Sequence, residues 1–192
     1  MKRQREVFDA YLAAWLSRTG REPELQDAER RNPNEGPAIS LIYRDFPQNG
    51  YVTGASYGLS GFRHSTEKRK PCELAIVMHS REVEWACIPA KIVGALRGFR
   101  PFGPGQVIGQ VEPLIPGSQM RASMLGEPSS ELGPSTLTIS QNPDEEFPFR
   151  EIELIQVYPL HMSERDYAWK HGVDALTRMD WQRLEPLRPP TV

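Results

Sequence analysis

The sequence has few of the features that announce a particular chemistry. Cysteine is scarce: Cys72 and Cys87 are the whole complement. Two thiols fit neither a disulfide framework nor a zinc site, and they read as reduced, buried side chains of a cytoplasmic protein. There is no C-x-x-C, no H-E-x-x-H, no G-K-[ST] phosphate loop and no G-x-G-x-x-G, so no cofactor and no metal is expected. No apolar run approaches the ~20 residues that cross a bilayer. The basic start, Met1-Lys2-Arg3-Gln4-Arg5-Glu6, lacks the apolar stretch of a signal peptide after it. No membrane partner is expected. A surplus of charge is missing too, with 23 Lys and Arg against 25 Asp and Glu and a formal net charge of −2. That balance excludes a general nucleic-acid binder. The basic clusters Lys2-Arg3-Gln4-Arg5 and Glu67-Lys68-Arg69-Lys70 read as solvated surface.

The 192 residues, 39% hydrophobic and 25% charged, are those of one soluble domain spanning 1–192 with a substantial core. The spacing of Phe8, Tyr11, Leu12, Trp15 and Leu16 predicts an amphipathic helix over 4–19, ended by Gly20 and Pro23. The polar stretch "ELQDAERRNPNEGP" reads as loop. Ile39–Phe46 and Tyr51–Tyr57 read as strands joined by "PQNG", with Asn49-Gly50 supplying the turn residues, so they pair antiparallel. Cys72–His79, "CELAIVMH", is the most apolar strand and belongs at the centre of a sheet. Ser80 can cap the next helix, whose inner face is Trp85, Ile88, Ile92, Val93 and Leu96, with Pro89 kinking or restarting it. From Gly98 to Pro134, glycine and proline point to short extended segments. Leu137–Ser140 is a short strand, "QNPDEEFPF" an acidic loop and Glu151–Tyr158 a strong strand. Ser163 opens a last helix as a capping-box residue with Asp166, Gly172 interrupts it, and Leu176, Met179, Trp181 and Leu184 continue its stripe. The fold class is α/β of the α+β type: a mixed, largely antiparallel central sheet with helices packed against it.

One motif demands a chemical test. Gly54-Ala55-Ser56-Tyr57-Gly58 spells G-x-S-x-G, the nucleophile elbow of serine hydrolases. The elbow places its serine between a strand and a helix whose N-terminus helps the oxyanion hole. Here "GLSGFRHSTEKRKP" runs on from Gly58, with a further glycine at Gly61 and no helical stripe. Asp144 and His161 complete the order Ser, Asp, His, but twenty-five acids and four histidines supply such an order readily. Ser56 therefore reads as a structural strand end, with the small serine hydrolase as the alternative. His161, Glu164 and His171 lie close enough in sequence for a cation site. A solvated helix start with its acid near the positive end of the helix dipole explains them as well.

The C-terminal third, "FPFREIELIQVYPLHMSERDYAWKHGVDALTRM", resembles the closing strand and helix of the Suppressor of fused family. "YVTGASYGLS", "CELAIVMHS" with "EWACIPAKIVGAL", and "FGPGQVIGQVEPLIPGSQM" fit the same family in order, over residues 35–185. The resemblance implies a binding protein rather than an enzyme. Animal members grip a short peptide that adds to a sheet. Small members like this chain resemble the bacterial branch, in which an immunity role against a cognate toxin is the implied function, with a regulatory adaptor as another reading. Gln106 stands after Gly105 where the animal proteins place an acid, so their peptide specificity is not carried over. The expected partner is another protein, in whose contact Tyr57, Phe102 and Gln106 are the candidate residues. Asp144-Glu145-Glu146 could meet a basic toxin surface or be plain solvated loop.

Overall fold

The computed structural model describes residues 2–62, 70–140 and 148–192. The acidic stretch Asp144–Glu146, His64 and the basic residues Lys68 and Arg69 lie outside the described residues. Helix α1 (Lys2–Thr19) begins slightly before the expected span. Its deepest side chains are Val7, Tyr11 and Trp15, while Leu16 is 42% exposed. The buried line thus runs at i, i+4 and i+8, rotated from the expected stripe so that Leu16 falls off it.

Eight strands follow among the described residues: β1 (Glu24–Asp27), β2 (Ile39–Arg44), β3 (Val52–Tyr57), β4 (Cys72–Met78), β5 (Val107–Gly109), β6 (Ala122–Gly126), β7 (Thr136–Thr138) and β8 (Glu151–Leu160). They form one sheet in the order β1-β2-β3-β4-β8-β6-β5, with β7 also paired to β8. Every pairing is antiparallel except that of β4 with β8. The mixed, largely antiparallel sheet is the one expected. All seven residues of β4 are buried, as its unbroken apolarity requires of a central strand.

The helices are α2 (Ile88–Leu96), α3 (Met162–His171) and α4 (Val173–Thr177). A 3₁₀ turn, Trp85–Cys87, leads into α2. Pro89 sits in the first turn of α2, where a missing N–H costs nothing, so it starts the helix and does not kink it. The Ser80 hydroxyl accepts from the Glu82 N–H (3.1 Å) and caps only a bend, because the helix begins later.

The sheet is covered on both faces. Against one lie Trp85, Ile88, Ile92, Val93, Phe102 and Met120, packed on Leu74, Ile76, Met78, Ile155 and Val157. Against the other lie Tyr11 and Trp15 of α1 with Leu132, packed on Leu41, Ala75, Val77, Leu137, Ile152 and Leu154. Further along β8, Tyr158 and Leu160 meet Ala168 of α3 and Leu176 of α4. The alternation along β8 therefore serves two layers at once.

Three local readings differ. β1 lies in what reads as loop: its "ELQD" buries no side chain, so no apolar signal marks it. The β2–β3 turn bends at Asp45 (φ 52°) and Gly50 (φ 86°), with the Asp45 carboxylate accepting from the Gly50 N–H (2.9 Å). Asn49 does not carry the left-handed turn. The α3 cap is His161, two residues before Ser163, with Glu164 as its box partner.

Candidate protein-binding surfaces

The G-x-S-x-G stretch is built for packing. Ser56 is fully buried. The β3–β4 ladder ends at Ala55 opposite Ala75, and the Ser56 hydroxyl takes over from the backbone. It accepts from the Leu74 N–H (2.9 Å) and donates to Glu73 Oε2 (2.6 Å). The other carboxylate oxygen of Glu73 accepts from the N–H groups of Gly58 (2.9 Å), Leu59 (3.0 Å) and Ser60 (2.8 Å) and from the Ser60 hydroxyl (2.7 Å). Burial pushes the Glu73 carboxyl above its ordinary value, against the pull of Ser56, Ser60 and Gly58. The flanking glycines have packing reasons. A Cβ on Gly54 would lie 2.1 Å from the Ala86 carbonyl oxygen, and one on Gly58 (φ 130°) 2.1 Å from that of Pro37. A serine fixed by two hydrogen bonds, followed by a turn around a carboxylate, is a corner of the fold.

Tyr57 ends β3 at that corner, still paired with Ile39 of β2. Its ring contacts Phe8 (centroids 4.6 Å apart) and Tyr11 (5.3 Å), and burial followed by the Glu73 and Asp9 charges pushes its hydroxyl up to about 12. It lines a cleft of about 460 Å³ between α1, the start of β2 and the turn after β3.

The other two expected contact residues lie elsewhere. Phe102 is 1% exposed, its ring filling the core against the α2 layer, so it offers no surface to a partner. The isolated Gly-Pro context that marks it as a loop aromatic does not reveal that the loop folds back over the sheet. Gln106 is half-buried at the entry to β5. Its side-chain amide donates to the Pro101 carbonyl (3.0 Å) and its own carbonyl accepts from the Leu125 N–H (2.8 Å). Tyr57 and Gln106 are separated by four strand spacings across the sheet, about 19 Å at ~4.8 Å each. They do not form one site.

Gln106 opens onto a sheet edge. The bonds Leu125 N–H to Gln106 O and Gln110 N–H to Arg121 O fix which residues of β5 face β6. By the antiparallel alternation, the N–H and C=O of Val107 and Gly109 point away from the sheet. Beside this edge stands Trp169 of α3, 61% exposed, with the Arg165 guanidinium 4.4 Å from its ring centroid. The Arg165 stem in turn packs over Gly109, at 3.0 Å from where a Cβ would be. Val111, just past the strand, is 82% exposed. A tryptophan with one ring face on an arginine and the rest in solvent, next to an open strand edge, is the composition of an interface centre. The sequence carries a signal for it: Arg165 and Trp169 are one helical turn apart, on a helix whose apolar residues do not form a clean stripe.

The His161, Glu164, His171 grouping is resolved differently. Glu164 is fully buried and pairs with buried Arg188 through both guanidinium Nη atoms, one to Oε1 and one to Oε2 (2.7 Å). It also accepts from the N–H groups of His161 (2.8 Å) and Thr191 (2.9 Å). Burial alone would raise the Glu164 carboxyl, but these partners outweigh it and hold it below its ordinary value. His161 contacts the Arg188 carbonyl through Nε2 (3.0 Å), and the His171 ring packs at a tilt against Tyr167 (centroids 4.4 Å apart). Arg188 thus occupies the place of a cation, and no group of three potential ligands stands together among the described residues. No described helix is long and apolar enough to cross a membrane.

A family profile described as Suppressor of fused protein (SUFU) matches residues 36–188. Helix α1 and strand β1 precede the matched region. No curated protein sequence matches the chain. Among solved structures the chain is similar to one in the Sufu-Fu complex, with 12% identity over 95% of this chain and 91% of that one and a TM-score of 0.63. It is similar to a suppressor of fused homolog from Neisseria gonorrhoeae FA 1090, with 15% identity, 100% and 98% coverage and a TM-score of 0.59. It is also similar to Drosophila Suppressor of Fused, with 12% identity and a TM-score of 0.57, where it spans 50% of the larger chain. At these identities the likeness is one of fold.

Proposed function

The chain belongs to the Suppressor of fused family, and from that premise we propose that it is a non-enzymatic, single-domain protein-binding module that receives an extended segment of another protein along the β5 edge. The observation that carries this reading is the pairing of an open strand edge, Val107 to Gly109, with the exposed Trp169–Arg165 stack beside it. Strand addition draws affinity from the outward N–H and C=O groups and selectivity from the side chains that alternate against the neighbouring surface. Gln106 sits at the entry of that edge as a contact residue. Tyr57 lies too far away to share the same short segment.

The finer role we propose is immunity: the module covers the working surface of a cognate bacterial toxin and neutralises it in the cytoplasm without chemistry of its own. The buried, doubly hydrogen-bonded state of Ser56 supports occlusion over a serine nucleophile. The test is co-expression with the neighbouring reading frame of the native organism. Growth is rescued by the wild-type chain and lost with Val107→Pro, which removes an outward donor and leaves the β6 ladder intact. Trp169→Ala weakens binding by tenfold or more on a hot-spot scale of ~2 kcal/mol. A Val107→Pro protein that still rescues growth rules out the β5 edge. A reactive-serine probe that labels the wild type but not Ser56→Ala rules out the non-enzymatic reading.

A further inference from the structure

A second site lies on the other side of the fold and is independent of the β5 edge. The cleft beside Tyr57, about 460 Å³, is of the size that holds a small organic ligand. Its walls are apolar: Val7 and Phe8 of α1, Ile39 of β2, Tyr57, Phe62 and Phe149. Three charged residues line it among those described, Arg5, Glu35 and Arg97, so its charge is positive by one.

Arg97 is the unusual member. It is 3% exposed. Its Nη1 donates to the carbonyls of Pro37 (2.9 Å) and Gly58 (2.6 Å), and its Nη2 to that of Gly36 (2.9 Å). Those bonds rigidify the cleft wall and hold the guanidinium in place. Besides the second Nη2 N–H, the Nε–H is left, and it makes no hydrogen bond among the described residues. The nearest carboxylate oxygen, Glu35 Oε2, stops 3.7 Å short of it, because Glu35 Oε1 is held by the Asn32 amide (2.9 Å). A buried, charged donor left without a hydrogen bond is costly. A ligand that supplies the missing acceptor gains there what the folded chain lacks. Arg5 at the mouth makes a loose, exposed contact to Asp9 (3.9 Å), which constrains it little.

We propose that this cleft binds a small amphiphilic carboxylate of fatty-acid type. The apolar body lies against Phe8, Ile39, Tyr57 and Phe149. The carboxylate replaces the loose approach of Glu35 to the Arg97 Nε–H and is drawn in by Arg5. Charge complementarity selects the acid over the alcohol or the ammonium of equal length.

The test uses the full chain with decanoate and decyltrimethylammonium below their micellar concentrations and decanol below its solubility limit, by calorimetry with methyl shifts of Val7 and Ile39 as the site readout. Decanoate binds saturably at one per chain, about tenfold tighter than decanol, the step worth one modest charge interaction, and the ammonium binds weakest. Glu35→Gln, which removes the competing acid, tightens decanoate and leaves decanol unchanged. Arg5→Glu, a surface change, narrows the gap between acid and alcohol. Ile39→Trp, which fills the cleft, abolishes binding. Equal affinity for acid and alcohol, absence of saturable binding, or retention of binding in Ile39→Trp overturns the proposal. Tighter binding of an apolar peptide with a free C-terminus than of decanoate also overturns it, and gives the cleft to the chain end of a partner.

Discussion

Replacing Arg188 by Met tests the account of the C-terminal segment most directly. In the folded chain Glu164 is 0% and Arg188 6% exposed. The substitution keeps the apolar stem and deletes both bonds to Glu164 and the bond to the Pro159 carbonyl (3.1 Å). Glu164 is left buried with only the N–H groups of His161 and Thr191. Breaking a buried pair from one side costs about 3–5 kcal/mol. With a urea slope of ~2 kcal/mol/M, the midpoint falls by ~1.5–2.5 M. Equilibrium urea unfolding at neutral pH measures it. Adding Glu164→Leu to Arg188→Met should recover most of the loss, because the uncompensated charge goes with it. The pair also sets a pH dependence. The folded carboxyl of Glu164 lies below its ordinary 4.5. Its contribution is therefore full above 4.5 and is lost as the pH falls through the folded value. A midpoint shift under ~0.5 M, or a gap between wild type and variant that does not narrow as the pH falls through the folded value of Glu164, refutes the reasoning.

Glu73 should behave in the opposite sense. Its folded carboxyl is raised by burial, so the stability linked to it is present below 4.5 and declines as the pH rises through the folded value. Glu73→Gln keeps an acceptor for the Gly58, Leu59 and Ser60 N–H groups and should cost under ~1 kcal/mol in urea unfolding. Glu73→Leu strands three N–H groups and two hydroxyls and should cost more than ~3 kcal/mol. Gly54→Ala drives a methyl to 2.1 Å from the Ala86 carbonyl and should destabilise by more than ~2 kcal/mol, since backbone must move; thermal unfolding reads it. Ser56→Ala removes two buried hydrogen bonds and should lower stability by ~1–3 kcal/mol, measured in the same way.

What the sequence reveals follows from how each element is stabilised. β4 and β8 are legible because their side chains are nearly all buried, and an apolar run of β-branched residues has few other destinations. β1 is illegible because it buries no side chain: backbone bonds to β2 and polar side-chain contacts such as Arg44 to Glu24 (2.6 Å) hold it. Helix α1 is legible as a helix but not in its rotation, since Phe8 and Leu16 are as apolar as the residues that won the interior. Phe102 reads as a loop aromatic because nothing local tells whether a Gly-Pro segment stands out or folds back. The parallel pairing of β4 with β8 joins residues about eighty positions apart, a long-range choice no window of sequence contains. Glu73 offers a fainter signal: one acid inside "CELAIVM" must find donors, and the glycine-rich turn before it is where they lie.

That parallel seam also bears on how the chain is made. Synthesis delivers the N-terminal strands first, so β4 leaves the ribosome long before β8 exists to cover its free side. Until Glu153 arrives opposite Cys72, the nascent molecule carries "CELAIVM" with one edge bare, a segment of high β-propensity and little charge. A chain stopped anywhere before β8 is left with an adhesive margin at the middle of its sheet. Versions that lack β8 should therefore clump, where a chain that includes it closes the seam.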